Sequence, residues 1–302
     1  MKYDLIIPAH PKDYVKLQFC LGSCLEYLNP SPENVYIITP DGISGQGLIS
    51  IKDDHAIPIK QSDINYRRPN WIFQQFINLF QDFIENDMYL SVDADIIFNK
   101  QIDLFESDKP TFFISDRDQH HVPYFIFMDK WRGLSRQVDY TFINDFMMFD
   151  KNICREMVPD IHDLLDFCNE VLSEDCLLAE FEIYGNYVTK YHTDRYNTKP
   201  SKTSSDGGEL PAYTQISLAQ ARKTNPDVTI DFICKDDQPF FKDIDVNWVP
   251  QDSLKDGTTL KEFNNLCWFK RHGTPNTTHP SPELFWHRTC ERIYYLSEYV
   301  DK

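Results

Sequence analysis

No stretch of this 302-residue sequence approaches the roughly 18 consecutive apolar residues that a membrane-spanning helix needs. The first apolar run, Leu5 to Ala9, is too short for a secretory leader and follows Asp4, so a soluble, cytoplasmic protein is expected. CxxC pairs are also missing. Cys20, Cys24, Cys154, Cys168, Cys176, Cys234, Cys267 and Cys290 stand apart from one another, which signals neither a zinc knuckle nor a disulfide framework. They are expected as buried thiols. Positive charge is scarce: 30 Lys and Arg stand against 47 Asp and Glu, a formal net charge of −17. Such a field repels nucleic acid and anionic membrane, and it admits a phosphorylated substrate only with a cation or a local basic pocket as mediator. The sequence holds no internal repeat and no extended low-complexity tract. What it does hold is 41% apolar and 14% aromatic residues, enough for a sizeable packed core.

The order of elements points to an α/β fold. Tyr3 to Ile7 is a short β-rich run, and Tyr14 to Leu28 then carries apolar residues at helical spacing until Asn29-Pro-Ser-Pro stops it. Val35 to Thr39 reads as the next strand, closed by Pro40-Asp41-Gly42. A strand, a helix and a strand in that order make a βαβ unit with parallel strands. Pro69 to Asn86 is expected as one amphipathic helix, followed by a buried strand at Met88 to Val92. Pro159 to Leu172 reads as a helix, and Glu180 to Val188 is ambiguous. From Asn197 to Gly208 the texture turns polar and reads as a loop or linker. Beyond it, Val228 to Cys234 reads as a strand and Pro282 to Tyr299 as a helix.

The chemistry concentrates where the Met88 to Val92 strand runs into Asp93-Ala94-Asp95. Ligands of open α/β sheets sit beyond the carboxyl ends of the strands. Two carboxylates one residue apart in a turn suit a hard divalent cation, Mg²⁺ or Mn²⁺, and such an ion can bridge a diphosphate. A solvated acidic turn is the bland alternative. Arg67 and Arg68 form one of very few basic clusters in the first half of the chain, suited to a phosphate or to a plain surface role. Trp71, Gln74 and Gln75 follow on adjacent helical turns. Glu180 and Glu182 are carboxylates in an apolar, aromatic segment, where an unpartnered charge is costly. Asp13 and the Asp41-Gly-Ile-Ser-Gly loop lie at expected strand ends, as ribose or base readers or as turn formers.

The run Leu-Ser-Val-Asp93-Ala-Asp95-Ile-Ile-Phe resembles the strand-to-DxD junction of GT-A-fold glycosyltransferases. Three further segments match a family of that group: Arg68-Pro-Asn-Trp71-Ile-Phe-Gln74-Gln75, Asn144-Asp145-Phe-Met147-Met-Phe149, and Ala179-Glu180-Phe-Glu182-Ile-Tyr184-Gly185-Asn-Tyr187. The family pattern carries Ser where Ala179 stands, and often His at Asn144 or Asp145. The resemblance spans about residues 3 to 190. It implies a GT-A-like, mainly parallel sheet flanked by helices over residues 1–195. Residues 196–302 are expected as a C-terminal α/β extension that completes the acceptor side or an interface. It further implies transfer of a sugar from a nucleotide-diphosphate donor, UDP-linked by preference, to a hydroxyl of a glycan or other acceptor. In such families Asp93 and Asp95 hold Mn²⁺ or Mg²⁺, with His272 as a possible third ligand and His192, His279 and His287 as competitors. Arg67, Arg68, Trp71, Gln74, Gln75, Asp13 and Ala94 make up the donor side. Glu180, then Glu182, is the candidate general base of an inverting reaction; a retaining outcome stays open.

Two rivals use the same acids. A phosphatase with an aspartate nucleophile also places DxD at a strand end, with Lys235-Asp236-Asp237 as a later acidic motif. A non-catalytic sugar- or cation-binding protein explains the acidity and the aromatics equally well.

Overall fold

The computed structural model describes residues 1–10, 13–42, 48–98, 101–115, 121–201 and 213–215. Along the chain run β1 (Asp4–Pro8), α1 (Tyr14–Tyr27), β2 (Leu28–Asn29), β3 (Asn34–Thr39), β4 (Ile49–Lys52), α2 (Asp53–Ala56) and a 3₁₀ turn (Gln61–Asp63). Then come α3 (Pro69–Leu79), β5 (Met88–Val92), β6 (Ile96–Phe98), β7 (Ile102–Asp103), β8 (Phe105–Glu106), β9 (Lys109–Ser115) and α4 (Val122–Arg132). The last are β10 (Phe146–Asp150), α5 (Lys151–Met157), α6 (Ile161–Val171), α7 (Glu180–Tyr191), β11 (Asn197–Ser201) and β12 (Tyr213–Gln215).

The central sheet has the order β10-β5-β1-β3-β4. β1 pairs in parallel with both β3 and β5, β3 pairs in parallel with β4, and β10 closes the β5 edge antiparallel. The architecture is thus mixed α/β with a mostly parallel sheet and helices on its faces. Alternation along the strands explains the two faces. Leu5, Ile7, Val35, Ile37, Leu90 and Val92 pack with Leu17, Cys20, Leu21 and Cys24 of α1. Ile6, Tyr36, Ile38, Tyr89, Met147 and Phe149 turn the other way, onto Ile72, Phe73, Phe76 and Ile77 of α3 and onto the helices that follow β10. The chain moves outward from β1 to β3 and β4, then returns to lay β5 on the opposite side of β1. The carboxyl ends of β1 and β5 therefore flank a topological switch point, the crevice where open α/β sheets bind ligands.

Several elements differ from their sequence reading. α3 ends at Leu79 rather than Asn86, with the Phe80 amide donating back to Phe76. The following amides have a stronger partner: the buried Asp4 carboxylate accepts from Glu85 N (3.0 Å) and Asn86 N (2.9 Å), as well as from the Asn86 and Asn34 side-chain amides. The ambiguous segment at Glu180 is the helix α7. The polar tract from Asn197 opens as a strand, β11, which pairs in parallel with β9. Tyr196 anchors it there by stacking on Phe112, ring centroids 4.1 Å apart. β12 pairs antiparallel with β6. The strand expected at Val228 to Cys234 and the helix expected at Pro282 to Tyr299 lie outside the described residues. Among those described, no helix is long and apolar enough to cross a membrane.

Candidate functional site

β5 ends at Val92, and the chain turns at once: Ile96 N donates to Asp93 O at 3.2 Å, folding a tight turn around buried Ala94. This turn is pinned from two sides. Asp93 N donates to Asp145 O (2.9 Å) in the loop before β10, and the Cys20 thiol of α1 donates to Asp93 O (3.4 Å). Its carboxylates are therefore presented from fixed backbone. Burial pushes the Asp93 carboxyl well above its ordinary range, and the like charges of Asp145, Asp95 and Glu180 push it further. Gln74 opposes them by donating its side-chain amide to Asp93 Oδ1 at 2.8 Å.

Glu180 opens α7, and α3 supplies its partners. Asn78 Nδ2 donates to Glu180 Oε1 at 2.7 Å, and Glu180 N donates to Gln75 Oε1 at 3.1 Å. Burial raises the Glu180 carboxyl to about 7, with the Asn78 amide pulling in the opposite direction. Gln74 and Asn78 are one helical turn apart and share a face of α3. That single face reaches both carboxylates, Asp93 with one amide and Glu180 with the other.

Glu182 behaves differently, as i and i+2 positions of a helix must. It is fully buried, and its Oε2 accepts from Phe142 N (2.7 Å) and Thr141 Oγ1 (3.2 Å). Burial raises this carboxyl too, and its Oε1 has no hydrogen-bond partner among the described residues. Glu182 thereby latches the loop that delivers Asp145 to the Asp93 turn. Gly185, one turn along α7, allows the close approach: a Cβ there would lie 2.2 Å from the Phe142 ring.

The remaining expected residues fall into place around this core or away from it. Arg68 caps α3 and sets its guanidinium over the Trp71 ring, 4.6 Å from the centroid. It makes no ion pair among the described residues. Arg67 points elsewhere, to an exposed ion pair with Glu174 at 2.6 Å. Gln75 is buried, and its Nε2 has no partner among the described residues. Asp13 precedes α1 on the loop after β1, at the same end of the sheet as Asp93. His192 lies at the far end of the 12-residue α7, about 18 Å along the axis from Glu180, and contacts Glu156 at 3.2 Å. It is remote from the acids. His272, His279, His287 and the Lys235-Asp236-Asp237 motif lie outside the described residues.

Sequence reasoning missed Asn78, Ser91 and Tyr124. Asn78 had a signal: it is a polar residue four positions after Gln74 in an otherwise apolar stretch, hence on the same helical face. Tyr124 on α4 had none. Burial raises its phenol, Glu180 raises it further and Arg68 opposes, so both charges lie within electrostatic reach of it; its ring meets His121 edge-on at 4.4 Å.

Among the described residues, no group of three or more His, Cys, Asp or Glu side chains is arranged to hold a metal ion. The oxygen donors near Asp93, the carboxylates of Asp95, Asp145 and Glu180, are of the hard type that divalent cations such as Mg²⁺ and Mn²⁺ take. The chain matches no family model, and no curated protein matches it.

Proposed function

We propose that the protein is a metal-dependent glycosyltransferase of GT-A-like fold, acting on a nucleotide-diphosphate sugar and a hydroxyl acceptor. The observation that carries this reading is the pair of amides on α3 that hold Asp93 and Glu180 at the switch point of a mostly parallel sheet, with Glu180 raised to about 7. A carboxylate with that affinity for protons is matched to general-base work near neutral pH. A Mn²⁺- or Mg²⁺-class ion on Asp93 and Asp95 supplies positive charge to the donor diphosphate when bound, which a chain of net charge −17 otherwise lacks.

In the inverting reaction, Glu180 accepts the proton of the acceptor hydroxyl as that oxygen forms its bond to the anomeric carbon. The bond from that carbon to the diphosphate oxygen breaks, and its electron pair leaves with the nucleoside diphosphate. Tyr124, within electrostatic reach of Glu180, supplies a flat apolar ring for a sugar. The test is Glu180→Gln: donor binding is retained and transfer to acceptor is lost. Transfer at the wild-type rate overturns the base assignment.

A further inference from the structure

Asn78 does more than fill space between α3 and α7. Its side chain is buried, and each end of the amide has its own partner: Ser91 Oγ donates to Asn78 Oδ1 at 2.7 Å, while Asn78 Nδ2 donates to Glu180 Oε1 at 2.7 Å. An amide is nearly symmetric in shape, so hydrogen bonding decides which end faces the carboxylate. Here a hydroxyl proton occupies the oxygen, which leaves the NH₂ group toward Glu180. The backbone is held as well, because Tyr89 OH donates to the Asn78 carbonyl at 2.8 Å. Tyr89 and Ser91 are both on β5, whose next turn carries Asp93. A continuous chain of hydrogen bonds thus joins the strand that presents the DxD acids to the carboxylate across the crevice.

We propose that Asn78, oriented by Ser91, is a positioning residue that fixes the Glu180 carboxylate and limits its proton affinity. This deepens the glycosyltransferase reading and rests on it for the role of Glu180, although the relay itself is a property of the fold. Burial opposes the ionisation of Glu180, and the backbone amides of Glu180 and Phe181 favour it. Asp93, Asp95 and Asp145 crowd the turn beyond β5, and Glu182 lies on the same helix. Tyr124 on α4 feels both Glu180 and the Arg68 guanidinium at the start of α3, and Arg136 is a second cation, acting on Glu182. Against that background the Asn78 amide is the side-chain donor that favours the ionised form. Without it Glu180 stays protonated further into the alkaline range and loses its fixed direction.

The test is a ¹³C-carboxyl NMR titration of the full-length protein with labelled glutamate, the Glu180 signal being the one absent from Glu180→Gln. The wild type is expected to titrate near 7. Asn78→Ala should raise that midpoint by about one pH unit, the usual weight of a hydrogen bond to a charged group. Ser91→Ala frees the amide to rotate and should raise it by less. In turnover, the acidic limb of the rate profile should move with the midpoint while KM for the donor holds. An unmoved midpoint in Asn78→Ala overturns the positioning role. Should that variant fail to fold, Ser91→Ala, which removes one hydroxyl, decides: an unmoved midpoint there overturns the relay. Moved midpoints together with normal transfer by Glu180→Gln leave the relay standing and remove Glu180 as base.

Discussion

Gln74 donates its side-chain amide to Asp93 across 2.8 Å, tying the middle of α3 to the turn that leaves β5. The bond opposes three like charges and burial, all of which favour the protonated acid. A metal ion must displace that proton, so whatever favours the carboxylate favours the ion. Gln74→Leu is therefore expected to weaken Mn²⁺ binding at neutral pH by about tenfold, the weight of one hydrogen bond to a charged group. The loss should shrink as pH rises and Asp93 ionises unaided. Calorimetric titration with Mn²⁺ at two pH values checks both points; equal affinity in variant and wild type removes Gln74 from the site.

The reach of α3 also shows what was legible in the chain. Trp71, Gln74 and Gln75 stand on a helix with a clear apolar stripe, and Asp93-Ala-Asp95 follows a strand that is apolar but for Ser91, so both could be placed from pattern alone. The end of α3 could not. It depends on Asp4, a residue more than eighty positions away, taking the amides of Glu85 and Asn86. The separate fates of Glu180 and Glu182 followed from helical geometry once α7 was known to be a helix. Which of the two faced the acids depended on the Thr141-Phe142 loop, a contact across some forty residues that no local pattern encodes. Arg67 and Arg68 look equivalent in sequence, yet one is drawn to Glu174 and the other lies on Trp71.

Glu180 makes stability depend on pH in a defined direction. Its carboxyl is at about 7 in the folded protein against an ordinary value of 4.5. Between those values the folded state binds more protons than the unfolded chain, so its contribution to stability falls as pH rises from about 4.5 to 7 and is level above that. Glu180→Gln lacks the titration. The variant should match the wild type near pH 4.5 and exceed it above pH 7 by about 1–3 kcal/mol, an order-of-magnitude figure from the size of the shift. Urea unfolding midpoints across that range supply the measurement. A difference that stays constant with pH contradicts the raised carboxyl.

Gly185 is expected to be intolerant of a side chain. A Cβ there would meet the Phe142 ring at 2.2–2.5 Å, and the same residue's amide is held by Glu182. Gly185→Ala must push the 141–145 loop away from α7, at a cost of about 2–3 kcal/mol for overpacking in a buried position. Because that loop carries Asp145 to the Asp93 turn, Mn²⁺ affinity should fall together with the urea midpoint. Normal stability in Gly185→Ala contradicts the close packing of α7 on Phe142.

The most direct test of a metal-clamped donor site is calorimetric binding of UDP-, GDP- and CMP-sugars with and without Mn²⁺, in the wild type and in Asp95→Ala. One nucleotide class is expected to bind the wild type only when Mn²⁺ is present, and to lose that binding in Asp95→Ala while the variant keeps its unfolding midpoint. Binding that is indifferent to Mn²⁺ or unchanged in Asp95→Ala, or no binding of any nucleotide sugar, would contradict the assignment of Asp93 and Asp95 as the clamp for a donor diphosphate.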